Sequence, residues 1–252
     1  MKKLILIVLI TILSEISVFS QTPQERYAEA LKSYSEENYA TAAEQLQYLY
    51  NEGYTNFEVC YNLGNAYYKT KDVASAILYY ERAKQIKPNN NDVNHNIEVA
   101  NKLTIDKIET IPEMFYTRWW NSFTYIFTPK TWIIINVVLL GLFLLVISSI
   151  ILSKKVYRKK VCIWISLVLL LLFIVITCVC VTCNAKYDKN DQAIVFTQTR
   201  VAKSSPTESS IDLFVVHRGT KVRINDKVGD WIEIVLSNGK QGWIKEADVQ
   251  II

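Results

Sequence analysis

Histidine is almost missing from this chain: its 252 residues include two, His95 and His217, far apart in sequence. Imidazole is the side chain best suited to moving protons or binding metal near neutral pH, so a histidine-based metal or acid–base centre has almost no raw material. The motifs of catalytic and nucleotide sites are missing too, with no nucleophile elbow, no phosphate-binding glycine loop and no HExxH helix. The spacing Gly239-Lys240-Gln241-Gly242 is turn chemistry and not a phosphate cradle. Charge is sparse as well. Charged residues make up 21% of the chain and the net charge is +4, too little for a broad basic surface that would hold nucleic acid by counterion release. No enzyme, no cofactor and no nucleic-acid partner are expected.

What the chain has in quantity is apolar residues, 50% of the total, much of it gathered into three runs. Residues 1–20 read as a secretory signal: Met1-Lys2-Lys3, an apolar run from Leu4 to Leu13, and a stretch ending in Val18 and Ser20. Cleavage is expected after Ser20, with an uncleaved anchor as the alternative because Glu15 is unusual in such a region. The residue that follows the cleavage point is Gln21 and not cysteine, which speaks against a lipoprotein. Residues 131–152 and 161–182 carry no charge, and each exceeds the ~20 residues needed to cross a bilayer as a helix. Both are apolar on every side, whereas a core helix would have an amphipathic stripe. Between them, residues 153–160 carry Lys154, Lys155, Arg158, Lys159 and Lys160, a short basic loop of the kind retained in the cytoplasm. Both flanking regions are then exported, which makes the chain a multi-pass protein of a bacterial inner membrane with two periplasmic modules. Residues 111–130 lead into the first span and are crowded with aromatics, including Phe115, Tyr116, Trp119, Trp120, Phe123 and Phe127. They are expected to lie along the headgroup layer, the alternative being a face that packs on protein.

Residues 21–110 are expected to form a helical repeat domain. Positions 57–90 carry tetratricopeptide spacing: Leu63-Gly64 and Tyr67 on a first helix, Ala76, Tyr80 and Ala83 on a second, and Pro88 at its close. Small Gly64 and Ala76 would let the paired helices approach, with Tyr67 and Tyr80 filling the space around them. One period of about 34 residues earlier, Ala30, Asn38-Tyr39, Ala42 and Leu46 fall in register as a degenerate first repeat. Residues 92–102 would be a capping helix with Ile97 and Val99. The concave face of such an array is expected to carry Tyr61, Asn62, Asn65, Tyr68 and Asn96, where asparagines could hydrogen-bond an extended peptide or simply be solvated. Lysine and arginine are not expected in that groove, so a ligand with a free C-terminal carboxylate is not anticipated.

From Gln192 onward short alternating runs separated by turn residues predict a small antiparallel barrel within residues 183–252. The order Gly219-Thr220, Gly229-Asp230-Trp231 and Asn238-Gly239-Lys240-Gln241-Gly242-Trp243 resembles the bacterial SH3-like domain. Asn238-Gly239 suggests a type I′ hairpin turn, and Lys203 to Ser210 a mobile loop. That resemblance implies a binding role for peptide or cell-wall material, with Trp231 and Trp243 as aromatic candidates; the alternative is that both rings pack the barrel core. Cys178, Cys180 and Cys183 near the end of the second span could form a metal or redox site, although helix geometry spreads them around the axis.

Together, Tyr61-Asn62-Leu63-Gly64-Asn65-Ala66-Tyr67-Tyr68, the Pro112 to Trp120 segment and the closing Gly242-Trp243 resemble the BatE-like family of the Bacteroidetes aerotolerance (Bat) operon. The resemblance implies a multidomain α + β protein with a tetratricopeptide-repeat array, two transmembrane helices and an SH3-like β-barrel. It implies a scaffold in an envelope complex with von Willebrand factor A-domain Bat proteins, linked to oxidative-stress tolerance. Two further readings stand beside it: a tether whose SH3-like domain binds peptidoglycan, and a redox or metal sensor built on the three cysteines.

Overall fold

A computed structural model describes residues 22–108, 114–124, 126–187 and 191–252, without the side chains of 118, 121 and 184–187. The expected signal segment 1–20 lies outside them, as does part of the aromatic approach. The chain divides into two compact units, residues 1–105 and 106–252.

The first unit is a series of antiparallel helices: α1 (Pro23–Ser35), α2 (Tyr39–Asn51), α3 (Phe57–Lys69), α4 (Val73–Ile86) and α5 (Asn91–Asn101). Its 34-residue period is written in the helix starts. Thr22, Asn56 and Asn90 fall one period apart, and each accepts a backbone N–H of the first turn, from Glu25, Val59 and Val93 respectively. Each cap satisfies an amide that the helix cannot bond internally. The tight turns repeat as well: Glu37 and Lys71 both adopt left-handed backbone, with φ of 64° and 66°. Pro88 stands just past the C-cap Lys87 of α4, where a residue without an N–H cannot continue the helix. The degenerate first repeat is present as α1 and α2, with Ala30, Ala42 and Leu46 fully buried. Gly64 is required by geometry, because a Cβ there would lie 2.5 Å from the Tyr80 ring. In α5, Val93, Ile97 and Ala100 are buried while Val99 is only half-buried.

The second unit begins with α6 (Phe115–Thr124), α7 (Pro129–Leu152) and α8 (Val156–Tyr187). Among the described residues, α7 and α8 are the two helices long and apolar enough to cross a membrane. At 1.5 Å per residue the 24 residues of α7 reach ~36 Å, enough for a hydrocarbon core of ~30 Å. The 32-residue α8 overshoots that core, and its first turn takes in Tyr157, Arg158, Lys159 and Lys160. The basic segment is therefore mostly helical, with only residues 153–155 outside helix. Between the two helices Asn136 Nδ2 donates to Thr177 Oγ1 at 3.2 Å, a polar tie in an otherwise apolar contact.

The remainder forms β1 (Gln192–Val195), β2 (Thr199–Lys203), β3 (Asp212–His217), β4 (Lys221–Val228), β5 (Trp231–Val235), β6 (Gln241–Lys245) and β7 (Val249–Ile251). They make one seven-stranded antiparallel sheet in the order β3-β2-β6-β5-β4-β1-β7. The expected barrel closure is not made by strand pairing: β3 and β7 end the sheet and are not hydrogen-bonded to each other. The core is Ala193, Val195, Ala202, Val216, Val222, Ile232, Ile234, Leu236 and Ile244.

One turn assignment changes. In the β5–β6 hairpin Gly239 N–H donates to Leu236 O at 2.9 Å, and only Gly239, with φ 84°, is left-handed; Asn238 is not. This is a five-residue connection with a glycine bulge in place of a type I′ turn. The loop between β2 and β3 carries Ser204 N–H to Ile211 O at 2.9 Å and the Ser210 hydroxyl to Ser205 O at 3.0 Å.

Candidate functional site

The first helices of successive repeats are joined by a contact that recurs with the period. Asn62 Nδ2 donates to the Tyr27 hydroxyl at 2.7 Å, and 34 residues on Asn96 Nδ2 donates to the Tyr61 hydroxyl at 3.3 Å. Asn65 Oδ1 accepts from the Tyr80 hydroxyl at 2.8 Å and from Asn96 Nδ2 at 3.1 Å. Burial raises the Tyr27 and Tyr80 hydroxyls above the usual tyrosine range, so both stay protonated. The asparagines named from spacing are thus brought together, but first to one another and to tyrosine. A ligand would meet the amide atoms left over from these ties.

Beside them lies a cavity of about 220 Å³ lined by Tyr34, Asn65, Tyr68, Lys69, Tyr80, Asn96 and Val99. Asn65, Tyr68 and Asn96 were expected here and Lys69 was not, while Tyr61 and Asn62, also expected, do not line the cavity. Lys69 is the last residue of α3, and its ammonium stands 5.5 Å from the centroid of the Tyr39 ring. The groove therefore does hold a cation, contrary to the expectation of none. A mixed wall of aromatic rings, amides and one ammonium suits a polypeptide with polar and apolar groups together. Cys60, in the same unit, is buried and its thiol is pushed up to about 11, which leaves it unreactive at neutral pH.

On the sheet, Trp231 and Trp243 are half-buried and lie outside the core. Strand alternation explains this: Ile232, Ile234 and Ile244 face the core, so their neighbours face away. Trp231 sits opposite Lys245, and Trp243 opposite both Glu233 and Lys203. The Lys245 ammonium is 5.7 Å from the centroid of the Trp231 ring and bonds Glu208 at 2.6 Å. Neither ring is a member of the buried core cluster. Gly242 lies within β6 and not in the turn, and glycine suits it there because a Cβ would come within 3.0 Å of Ala202 Cβ and 3.2 Å of Phe214.

The three cysteines of α8 do not converge. Cys178 is exposed, Cys180 is half-buried, and Cys183 is buried, its Sγ donating to Thr124 O at 3.6 Å. Among the described residues no three histidine, cysteine, aspartate or glutamate side chains gather as metal ligands. The same Thr124 carbonyl accepts Trp132 Nε1 at 3.0 Å, and Trp120 and Phe123 pack on Trp132, Ile176 and Val179. One face of α6 is thus fixed to the apolar helices, while Phe115, Tyr116 and Trp119 are 84%, 57% and 68% exposed.

One contact had no signal in the sequence. Asp106 Oδ2 accepts the His217 backbone N–H at 2.8 Å and the Thr220 hydroxyl at 2.6 Å, and its Oδ1 is 2.7 Å from His217 Nδ1. Desolvation would raise the Asp106 carboxyl, but the bonds from Thr220 and His217 outweigh it and hold the group below its ordinary value.

No curated protein matches the chain. Residues 57–90 match the tetratricopeptide repeat family, which supports a role in protein–protein interaction for the unit whose groove has just been described.

Proposed function

We propose that the chain is a membrane-anchored, non-enzymatic scaffold of the bacterial cell envelope that grips other proteins through its repeat groove. The observation that carries this reading is the tetratricopeptide match at 57–90 beside a cavity walled by Tyr68, Lys69 and Asn65. α7 and α8 serve as the two spans, residues 1–20 as the export signal, and the basic start of α8 stays in the cytoplasm. The Asp106–His217 contact supports this topology. Asp106 precedes both apolar helices and His217 follows both, and two crossings return the chain to the side it left. The exposed aromatic face of α6 would lie in the headgroup layer on that same side, at the junction with the spans. By its resemblance, the scaffold would belong to a Bat-type complex with von Willebrand factor A-domain subunits and contribute to aerotolerance.

The outward-facing Trp231 and Trp243 favour a second reading, in which the SH3-like sheet binds peptidoglycan and tethers the assembly to the wall. Purified peptidoglycan offered to the detergent-solubilised chain at low salt separates the two readings; retention that Trp231→Ala and Trp243→Ala abolish would favour the tether. The scaffold reading is tested with a photoreactive residue in place of Lys69, cross-linked in native membranes. Adducts to envelope proteins are expected, and their absence would refute the groove as the binding site. A reporter fused after Ile252 that works only in the cytoplasm would overturn the topology.

A further inference from the structure

Two segments separated by 111 residues meet at one corner of the C-terminal sheet. Asp106 presents its carboxylate to the last residue of β3 and to the β3–β4 turn: Oδ2 takes the His217 N–H and the Thr220 hydroxyl, and Oδ1 meets His217 Nδ1. Two residues on, Ile108 packs against the buried core of the sheet. This corner is well enclosed, with the Asp106 side chain 16% exposed and that of His217 27% exposed. β3 is an end strand, paired on one side by β2, so its outward amides need partners from elsewhere. A carboxylate that takes such an amide together with a hydroxyl and a ring nitrogen is held by charge-assisted bonds. The acid and the aliphatic group, with one residue between them, thus engage the sheet together.

We propose that this corner is a docking site for short segments of the pattern acid-x-aliphatic, and that the chain fills it in cis with Asp106-Lys107-Ile108. The site latches the stretch that follows the repeats onto the sheet, and a partner presenting the same pattern competes with the latch. Because the cis segment is tethered, its effective concentration is high and the filled state prevails until the tethered acid is weakened. This proposal does not depend on what the repeat groove binds.

The probe is a fluorescent synthetic peptide with the sequence of residues 102–110, titrated into the detergent-solubilised full chain. The wild type should bind it at least tenfold more weakly than Asp106→Asn, in which the site is vacated. A peptide with asparagine in place of its aspartate should bind neither protein. Should Asp106→Asn melt at a lower temperature, the aspartate-bearing peptide should raise its melting point and the asparagine-bearing one should not. Equal affinity for wild type and Asp106→Asn, or equal behaviour of the two peptides, would refute the docking site and reduce the contact to a structural brace.

Discussion

The repeat unit and the C-terminal sheet unit hold themselves together in opposite ways. In the repeats each contact has a counterpart one period away: Tyr27–Asn62 recurs as Tyr61–Asn96, and the caps Thr22, Asn56 and Asn90 repeat in step. In the sheet the defining contacts occur once and join distant segments, as Asp106 does with His217 and Thr220. The first unit propagates one local solution by nearest-neighbour stacking, whereas the second depends on non-local closure. Damage to one repeat should therefore spread only to adjoining helices, while damage to one sheet contact should be felt through the whole sheet.

The largest expected effect tests which side of the sheet bears its stability. Ile244 is fully buried and Trp243, beside it on β6, is not. Ile244→Ala should cost about 2–5 kcal/mol, and Trp243→Ala about 1 kcal/mol or less, measured by chemical unfolding in detergent. Equal losses would return the tryptophans to a packing role and remove the case for a binding face. In the repeat unit the corresponding test is Gly64→Ala, whose Cβ would meet the Tyr80 ring at 2.5 and 2.7 Å. With Tyr80 buried and bonded to Asn65, the ring has little room, and a loss of about 3 kcal/mol is expected from overpacking. Gly141→Ala in α7 is its control, since nothing lies within 4 Å of that added carbon, and no loss of helix signal on heating should follow.

Asp106→Asn should cost about 1.5–3 kcal/mol, the range for hydrogen bonds to a charged group. The pH dependence has a defined sign. Because the folded-state value lies below the ordinary 3.8, the contribution is complete above 3.8 and disappears as pH falls through the lowered value. Wild type and variant should therefore differ in melting temperature at neutral pH and converge in strong acid. A difference that persisted in acid would mean that the carboxylate charge is not what secures the contact.

Much of the repeat unit was legible because its information is local. Gly64, Ala76, Tyr80 and Pro88 sit at fixed separations, and the same spacing applied to Thr22, Asn56 and Asn90 would have located the caps too. The paired asparagines were found on the right face, but their mutual bonding was not. That bonding needs the Tyr27–Asn62 distance, which depends on how successive helices stack. In the sheet, the alternation about Ile232, Ile234 and Ile244 is itself enough to set Trp231 and Trp243 on the opposite face. Lys69 entered the groove because α3 ends there, a boundary that composition sets only to within a turn. The Asp106 latch had no sequence signature, since nothing in the neighbourhood of residue 106 points to a partner beyond two apolar helices.

The smallest effect concerns the one backbone feature that the repeats duplicate without a favourable residue. Glu37 and Lys71, one period apart, both hold left-handed φ, 64° and 66°, where a Cβ crowds the following carbonyl. The chain tolerates this because the turn is fastened on both occasions by the same bond: Asn38 N–H donates to Ser33 O at 2.9 Å, and Asp72 N–H to Tyr67 O at 3.0 Å. Glycine meets no such crowding, so Lys71→Gly should stabilise the repeat unit by about 0.5–1 kcal/mol, less the entropy glycine adds to the unfolded chain. Glu37→Gly should give the same gain within error if the two turns are equivalent by repetition. The two gains should add in the double variant, since the turns share no residue. Unequal gains would show that the first, degenerate repeat has diverged in its turn as well as in its packing residues.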